Sequence, residues 1–397
     1  MKLKLFIIAL GAACFLACSN NGKSKPDRED PKAEFTFTAE RAPEYDQWFH
    51  RTKGWFGGDG IFMVRKDGVE YDNTVNRSEI IIWFSDTIIG EIVDGVLSFF
   101  KMINNSLASV PTNGNPPSFK WDSIQNQPAS VIVPTTPKTS EGEYYWLGDG
   151  FINTEDNNNL YVIGYRIKTN DQQQTFGFEE KGNTLIIVPN TDLYNWRAAQ
   201  QFDIPFHGDR PITSVPNFGA GIFVNTEKAG VANPDGYVYI YGVKGQEKEL
   251  MVARVRTKDF ADFSAWRFWD GQQWSNQFDA AKAIASNVSN ELSVCQLSNG
   301  QYALVYQYQT MSPIIAMKIA DRPEGPFSDM IELYNVSNDI EKDKDIFPYN
   351  AKVHTVLSGQ NELVISYNVN SFDFFNDIKE FPNLYRPRFI RVKYAFK

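Results

Sequence analysis

Short apolar runs alternate with polar turns along almost the whole chain. NLYVIGYRIKT (159–169), TLIIVPN (184–190), DGYVYIYGVKG (235–245), ELMVARVRT (249–257), QYALVYQYQ (301–309), ELVISYNVNS (362–371) and RFIRVKYAF (388–396) are rich in Val, Ile, Tyr and Phe. These types suit a pleated, half-buried surface, so the runs predict β-strands. EIIIWFSDTII (79–89) is a continuous apolar run ending at Gly90, the length of a buried strand. Asp67-Gly68, Pro234-Asp235-Gly236, Asn299-Gly300 and Ser358-Gly359 mark the turns between strands. No long amphipathic helical period is present. Two stretches are less regular: the Pro-containing segment 104–140, and 276–290, which reads as a short helix or a loop.

The strand pattern repeats. GDGIFMVRKDG (58–68), leading into SEIIIWFSDT, is followed by GDGFINTEDNNNLYVIGYRI (148–167) and GAGIFVNTEKAGVANPDGYVYIYGVK (219–244). Weaker copies are NELSVCQLSNGQYALVYQYQ (290–309) and NAKVHTVLSGQNELVISYNVN (350–370). Each copy is a strand, a turn and a more apolar strand. Five units of roughly 70–75 residues suit four-stranded blades with decorated loops. A single blade cannot bury both its faces, whereas radial stacking buries them and leaves short edges. The expected fold is therefore all-β, a five-bladed β-propeller over 35–397. A pair of β-sandwiches is the structural alternative, although it gives no reason for the Gly-x-Gly opening to recur.

The N-terminus supplies an address. MKLKLFIIALGAACFLACSN places Lys2 and Lys4 before an apolar run and Leu16-Ala17-Cys18 after it. That order is a signal peptide over 1–17, and the run is shorter than the ~20 residues of a membrane span. Leu-Ala-Cys resembles a bacterial lipobox, with Cys18 as the lipidated residue. The polar stretch 18–34 then reads as a flexible tether. The expected location is the bacterial cell envelope, lipid-anchored at the outer membrane or cell surface, with no other membrane contact.

Composition narrows the partners. The formal charge is −9, and it becomes more negative once Lys2 and Lys4 leave. No basic stripe exists to hold a polyphosphate, so nucleic acid is excluded. With Cys14 in the leader and Cys18 lipidated, Cys295 has no disulfide partner and reads as a small buried hydrophobe. Aromatic residues make up 14% of the chain, including 9 Trp and 18 Tyr. Much of this must be core, but such rings also stack on sugars.

Candidate chemistry centres on carboxylates. Asp59 lies in Gly58-Asp59-Gly60, and Asp86 ends an apolar strand, where a charge is costly unless paired or functional. Asp149 repeats the Gly-Asp-Gly setting, and Glu291 precedes the first strand of the fourth copy. In the third copy Gly219-Ala220-Gly221 keeps the glycines without the acid, which separates an architectural role for Gly from a chemical role for Asp. Acids at the starts of inner strands share one axial funnel. Converging carboxylates suit glycoside hydrolysis, which needs one protonated and one ionised acid. An Asp in such a turn also commonly hydrogen-bonds its own backbone. Candidate substrate contacts are Trp55, Trp146, His354, Arg254 and Tyr367. Trp83 is expected to pack between blades, and Trp266, Trp269 and Trp274 to lie near a surface turn. His50, His207 and His354 are too scattered for a zinc signature. No metal or cofactor is expected, apart from room for a structural cation near the axis. No Ser-His-Asp order, P-loop or dinucleotide fingerprint appears.

The chain resembles a group of five-bladed propellers first catalogued as domains of unknown function, some of which act as endo-D-arabinanases on mycobacterial arabinogalactan. The resemblance covers most of the mature chain. It rests on GWFGGDGIF, IIIWFSDTIIG, WLGDGFI, PDGYVYIYGVKG, MVARVRTKDFADFSAWRFWDG, DRPEGPFS, YNAKVHTVLSGQNELVISYNVNS and YRPRFIRV in this order. It implies a propeller and hydrolysis of furanoside linkages by Asp residues, which map onto Asp59 and Asp86. More distantly the layout is similar to propeller arabinanases and fructosidases, which use three axial carboxylates. The expected activity is hydrolysis of a furanose-containing polysaccharide by a monomeric lipoprotein. Asp59 would be base or nucleophile, Asp86 its partner, and Asp149 or Glu291 the acid or a positioning group. The alternatives are a non-catalytic glycan-binding lipoprotein and a scaffold whose rim binds protein.

Overall fold

The structure is a computed structural model that describes residues 34–71, 78–170, 177–206, 210–211 and 214–397. The leader, Cys18, the tether through residue 33, and His207 lie outside the described residues.

Five antiparallel sheets follow one another along the chain. The first joins Phe62–Arg65, Ile80–Phe84, Ser106–Val110 and Ser118–Lys120. The second joins Glu143–Asn153, Asn159–Thr169, Phe178–Val188 and Gln200–Asp203. The third runs through Asn217–Asn225, Tyr237–Lys244, Glu249–Arg256, Arg267–Trp269 and Trp274–Ser275. The fourth contains Leu292–Gln296, Tyr302–Gln307, Ile314–Ala320 and Ile331–Asn335. The fifth orders Ile346–Val353, Glu362–Ser371 and Arg388–Phe396, and its fourth strand is the N-terminal Phe35–Arg41. That strand pairs from Phe35↔Phe396 to Arg41↔Ile390, so the two ends of the described chain share one sheet.

The first strand of each sheet is its inner strand, and neighbouring inner regions are tied together. Trp83 Nε1 donates to the Gly148 carbonyl at 2.8 Å, joining sheets one and two. The Ile222 N–H donates to Asp149 Oδ2 at 2.6 Å, joining two and three. Gly221 faces Leu292 across sheets three and four. The Val353 N–H donates to Ser293 Oγ at 2.8 Å, joining four and five. Between five and one, the Gly58 N–H donates to the Tyr385 carbonyl at 3.0 Å, and Arg65 Nη2 donates to the Val356 carbonyl at 2.9 Å. The sheets thus form a propeller-like ring, and the cores lie between neighbouring faces. Cys295 is buried there, as expected, and burial pushes its thiol up to about 12.

The run 79–89 is not one strand. Ile80–Phe84 belongs to the first sheet, while Thr87–Val93 pairs with Lys53–Gly58 and Val96–Ile103 in a separate sheet. The break falls at Ser85-Asp86. Opposite it, Asp59-Gly60-Ile61 interrupts the inner strand in the same way. The first unit is therefore two sheets in tandem, the extra one extending beyond the start of the inner strand. Segment 104–140 forms short strands, with Asp122–Ile124 and Gln127–Ala129 as a separate hairpin, and 276–290 is loop apart from a 3₁₀ turn at Phe278–Ala280 and a β-bridge from Ala285 to Leu250.

At the opposite end residues 66–71, which follow Phe62–Arg65, run beneath the inner strands. The Glu70 and Tyr71 N–H groups both donate to the Ala229 carbonyl, and Tyr71 Oη accepts from the Gln296 N–H at 3.0 Å. These partners sit near the ends of the third and fourth inner strands. The centre is floored at that end.

The recurring glycines hold the strands close. A Cβ on Gly148 would lie 2.8 Å from the Gly219 carbonyl, and one on Gly219 would lie 2.6 Å from Ile163. Gly219 also has φ 117°, a left-handed conformation costly for other residues. Gly219→Ala is expected to lower the unfolding free energy by about 2–4 kcal/mol, from strain plus overpacking. Gly245→Ala, with φ 69° and open space around it, bears only the strain, about 1–2 kcal/mol. Denaturant midpoints at unchanged m-value read the difference; equal losses in the two variants would refute the packing argument.

Candidate active site

The inner strands lose their regular ladders at one height. Register slips between Leu147 and Gly150 in the second sheet, Phe218 and Gly221 in the third, and Tyr349 and Lys352 in the fifth. Each slip is a β-bulge, which bends the strand and re-aims a side chain. In the second sheet Gly148 and Asp149 stand opposite Ile163 alone, and in the fifth Asn350 and Ala351 stand opposite Tyr367 alone, whereas in the third Gly219 and Ala220 have no residue opposite them. Asn350 has φ 60°, a conformation Asn tolerates better than most residues. The acid is thus an addition to a bulge that exists without it. Glu291 holds the corresponding place just ahead of the fourth inner strand.

In the first sheet the irregularity brings two acids face to face. The Asp59 N–H donates to the Asp86 carbonyl at 3.0 Å, and the Ser85 N–H donates to the Asp59 carbonyl at 2.9 Å. Asp59 and Asp86 are thus joined through the backbone at the break, and the charge of Asp86 acts on the Asp59 carboxyl.

Their surroundings differ. Tyr349 Oη donates to Asp59 Oδ2 at 2.7 Å, Tyr385 also bonds this carboxyl, and Oδ1 is buried without a partner. Asp86 Oδ1 accepts from Trp146 Nε1 at 2.9 Å and from Asn104 Nδ2 at 3.3 Å. Burial raises the proton affinity of both acids. For Asp59 the charges of Asp86 and Glu291 add to the rise, whereas for Asp86 the two N–H donors oppose it. Indole and amide N–H groups can only donate, so they favour a carboxylate; a phenol can accept from a carboxylic acid as readily as it donates. Chemically, the pair is split into a proton holder, Asp59, and an ionised partner, Asp86.

The other two acids are neutralised in place. Asp149 accepts from the Gly150 N–H at 2.8 Å and from Ile222 of the next sheet, while burial pushes it up to about 7. Glu291 forms a buried ion pair with Lys352, whose ammonium also lies 4.3 Å from the Phe62 ring centroid. Breaking such a pair typically costs about 3–5 kcal/mol. The charges of Glu291 and Asp149 act on each other, and Glu291 acts on Asp59, so all four predicted acids share one recess. Among the described residues no group of three or more His, Cys, Asp or Glu is arranged to hold a metal ion.

Of the five residues read as substrate contacts, only Trp146 reaches this recess. It is half-buried, and Phe178 packs edge-on against its ring at 4.5 Å. Trp55 is fully buried, donates to Ser106 Oγ at 3.0 Å and stacks on Phe119 at 4.4 Å. His354 is buried against Ser366 Oγ at 2.7 Å and pushed down to about 3, so it is a neutral core imidazole. Arg254 lies on the third strand of its sheet, between the Tyr237 and Trp274 rings at 4.1 and 4.2 Å. Tyr367 is on a second strand and fully buried. Trp83, Trp266 and Trp269 are buried as well, the first bridging two sheets as expected, and Trp274 is half-buried.

Tyr349, Tyr385, Asn104 and Lys352 were not singled out from the sequence. One signal was available for two of them: Tyr349-Asn350-Ala351-Lys352 occupies the register of Phe218-Gly219-Ala220-Gly221, with Asn in place of Gly. Tyr385 and Asn104 come from a connection and a strand junction, which carry no repeat. Glu70 is also new to the centre: its neighbour in charge is Asp149, and burial first, then that charge, pushes it up to about 8.

The residues 42–394 match the family described as a domain of unknown function, DUF5005. The chain belongs to that family. A search of curated proteins returns no match. Among solved structures, a Bacteroides ovatus protein provisionally designated a hydrolase is 20% identical, with a TM-score of 0.68 over 94% of this chain and 97% of that one. This likeness shows a shared fold. An α-L-arabinofuranosidase from Podospora anserina is 10% identical with a TM-score of 0.43, covering 91% of this chain and 97% of that one. An exo-β-1,3-galactanase from Phanerochaete chrysosporium is 8% identical with a TM-score of 0.46, covering 84% and 60%. At those scores the last two carry no argument about the site of this family member.

Two outcomes test the electrostatics. Trp146→Phe removes a donor from the charged form of Asp86, so the Asp86 proton affinity should rise; carboxyl ¹³C NMR titration reads it, and an unchanged titration would contradict the contact. Glu70 holds its proton more tightly folded than unfolded, so its contribution to stability is full below the ordinary Glu pKa of about 4.3 and is lost as pH rises to about 8. Glu70→Gln should therefore raise Tm at pH 8.5 relative to the parent and leave the difference small at pH 4. A gain of the same size at both pH values would sink this assignment.

Proposed function

We propose that the chain is a glycoside hydrolase acting on a furanose-containing polysaccharide, and more finely an endo-acting D-arabinanase. The observation that carries this reading is the Asp59–Asp86 pair: two backbone-paired carboxyls, one against phenols and one against N–H donors. In this reading Asp59 is the general acid that protonates the leaving oxygen. Asp86 is the ionised partner that attacks the anomeric carbon or activates water. The sequence alone made Asp59 the base or nucleophile, Asp86 its partner and Asp149 or Glu291 the acid or a positioning group. Asp149 and Glu291 hold the recess together, the first through backbone N–H groups and the second through Lys352. The reading agrees with the hydrolase designation of the Bacteroides ovatus protein. The furanose preference rests on the order of motifs along the chain.

The wider frame is part of the same proposal. The five sheets and the shared N- and C-terminal sheet support a five-bladed propeller. The order of charged, apolar and small residues before Cys18 supports a leader, a lipid anchor and a place in the cell envelope. The protein is taken as a monomer that works without a cofactor.

The test is hydrolysis of arabinogalactan by the purified chain, with products resolved by chromatography. Asp59→Asn and Asp86→Asn should each lower kcat by about 10²–10⁴. The pH dependence of kcat/KM should be bell-shaped, with Asp86 ionising on the acid limb and Asp59 losing its proton on the alkaline limb. Binding of oligosaccharide without any product would instead establish a glycan-capturing protein. Full activity in Asp59→Asn would refute the role assigned to that acid.

A further inference from the structure

A cavity of about 440 Å³ lies where the fourth and fifth sheets meet, within the ~300–1,000 Å³ of small-ligand sites. Its walls come from three segments. Met311 and Pro313 belong to the hairpin between Tyr302–Gln307 and Ile314–Ala320, residues 340–343 to the connection after Ile331–Asn335, and Phe347 to the fifth inner strand. The registers Leu292↔Tyr306, Ile314↔Asn335 and Ile346↔Ser371 put all three segments at the end where the fourth and fifth inner strands begin. Glu291, directly ahead of the fourth inner strand, is at that same end.

The walls are held in place. Arg388 is buried at the start of the last strand; its Nη1 donates to the Asp339 carbonyl at 2.6 Å, and its Nη2 to both Glu341 oxygens at 2.7 Å. The Val336 N–H donates to the Pro313 carbonyl at 2.9 Å, which ties the connection to the hairpin. The cavity is therefore preformed, and a ligand meets little ordering cost.

One wall continues into the recess. Phe347 and Tyr349 are two residues apart on one strand, so their side chains share a face, and their ring centroids lie 5.8 Å apart. Tyr349 is the phenol that donates to Asp59 at 2.7 Å. Phe372 packs against Phe347 at 4.6 Å and is more than half exposed. A line of aromatic rings thus runs from the proposed acid to the surface, with the cavity along it.

The lining is apolar on one side and polar on the other. Phe347, Met311, Pro313 and Ile340 supply the first; Lys342 and Asp343, both exposed, supply the second. The Lys342 ammonium donates to the Ser337 carbonyl, and Asp343 Oδ1 accepts from the Asp345 N–H at 2.9 Å. An ammonium has three donors and a carboxylate about four acceptor positions, so both keep capacity for a ligand. A hydrocarbon would cover these two groups without hydrogen bonds, and an anion would be repelled by Asp343. A neutral sugar ring suits both sides: its C–H face lies on the Phe347 ring, and its hydroxyls accept from Lys342 and donate to Asp343.

We infer that this cavity is a subsite for a sugar unit distal to the bond that Asp59 and Asp86 cleave, with Phe347 as its stacking platform and Lys342 and Asp343 as its hydroxyl partners. The inference rests on the hydrolase reading, and it adds the path by which the glycan chain leaves the acids. These are positioning residues; they do not touch the reacting atoms.

The test compares Phe347→Leu, which keeps apolar packing on Phe372 but removes the flat ring, with Phe347→Tyr, which keeps the ring. On arabinan oligosaccharides Phe347→Leu should raise KM by about three- to tenfold with kcat little changed, and Phe347→Tyr should stay near the parent. Lys342→Met combined with Asp343→Asn should raise KM by about tenfold. Lys344→Met, exposed and outside the lining, should have no effect. An aryl arabinofuranoside, which spans one sugar, should be affected far less by every variant, which checks that the Tyr349–Asp59 contact is undisturbed. Equal effects on both substrates, or an unchanged KM on the oligosaccharides, would overturn the subsite. Calorimetric titration of an arabinan oligosaccharide into the Asp86→Asn chain, which leaves Tyr349 and Asp59 in place, separates this inference from the parent reading. Binding that Phe347→Leu weakens supports the subsite even where the parent shows no hydrolysis. Binding that Phe347→Leu leaves unchanged, or no binding at all, rejects it.

Discussion

The inner strands must approach one another closely at the height where their ladders break, and the rest of the molecule depends on that approach. Gly148, Gly219 and Gly221 let backbone meet backbone or side chain where a Cβ would collide. The broken ladders leave backbone N–H groups without strand partners, and a buried orphan is costly. Asp149 takes two of them, Gly150 from its own strand and Ile222 from the next. Its carboxyl is therefore a joint between sheets before it is anything chemical. Ala220 and Ala351 mark bulges where other contacts suffice.

A ring assembled in this way collects acids that would otherwise repel. Glu291 is balanced by Lys352 from the fifth sheet, and Asp149 by backbone dipoles. That leaves Asp59 and Asp86, which no cation among the described residues is seen to pair with. Burial and mutual repulsion drive a proton onto one of them, and the donors decide which. Trp146 and Asn104 stabilise negative charge on Asp86, whereas on Asp59 burial and the charges of Asp86 and Glu291 outweigh the bonds from Tyr349 and Tyr385. The asymmetry needed for acid and base chemistry thus arises from the side chains around the paired acids, Trp146 of the second sheet, Tyr349 of the fifth and Asn104 and Tyr385 of the connections, not from the acids themselves.

Much of the architecture was legible along the chain. Strand periodicity and the turn dipeptides identified an all-β chain, because these are local properties of two or three residues. The apolar run 79–89 misled in one respect: hydrophobicity cannot show that a strand changes sheet at Ser85-Asp86. Trp55 and His354 misled for a related reason. A ring beside an acid, like Trp55, or an imidazole on an inner strand, like His354, points to the opposite face of a strand as readily as to the same one, and both residues went into the core.

By itself, then, the sequence determined the strands, the glycines that permit close packing, and the acids placed beside them, since each follows from backbone conformation and short-range pattern. Only the tertiary structure decided which acids meet, which are neutralised, and which partners they receive. Tyr349 lies 290 residues from Asp59, and Lys352 lies 61 from Glu291. Contacts of that span are created by closing the ring, and a carboxyl's proton affinity is set by what closure places around it.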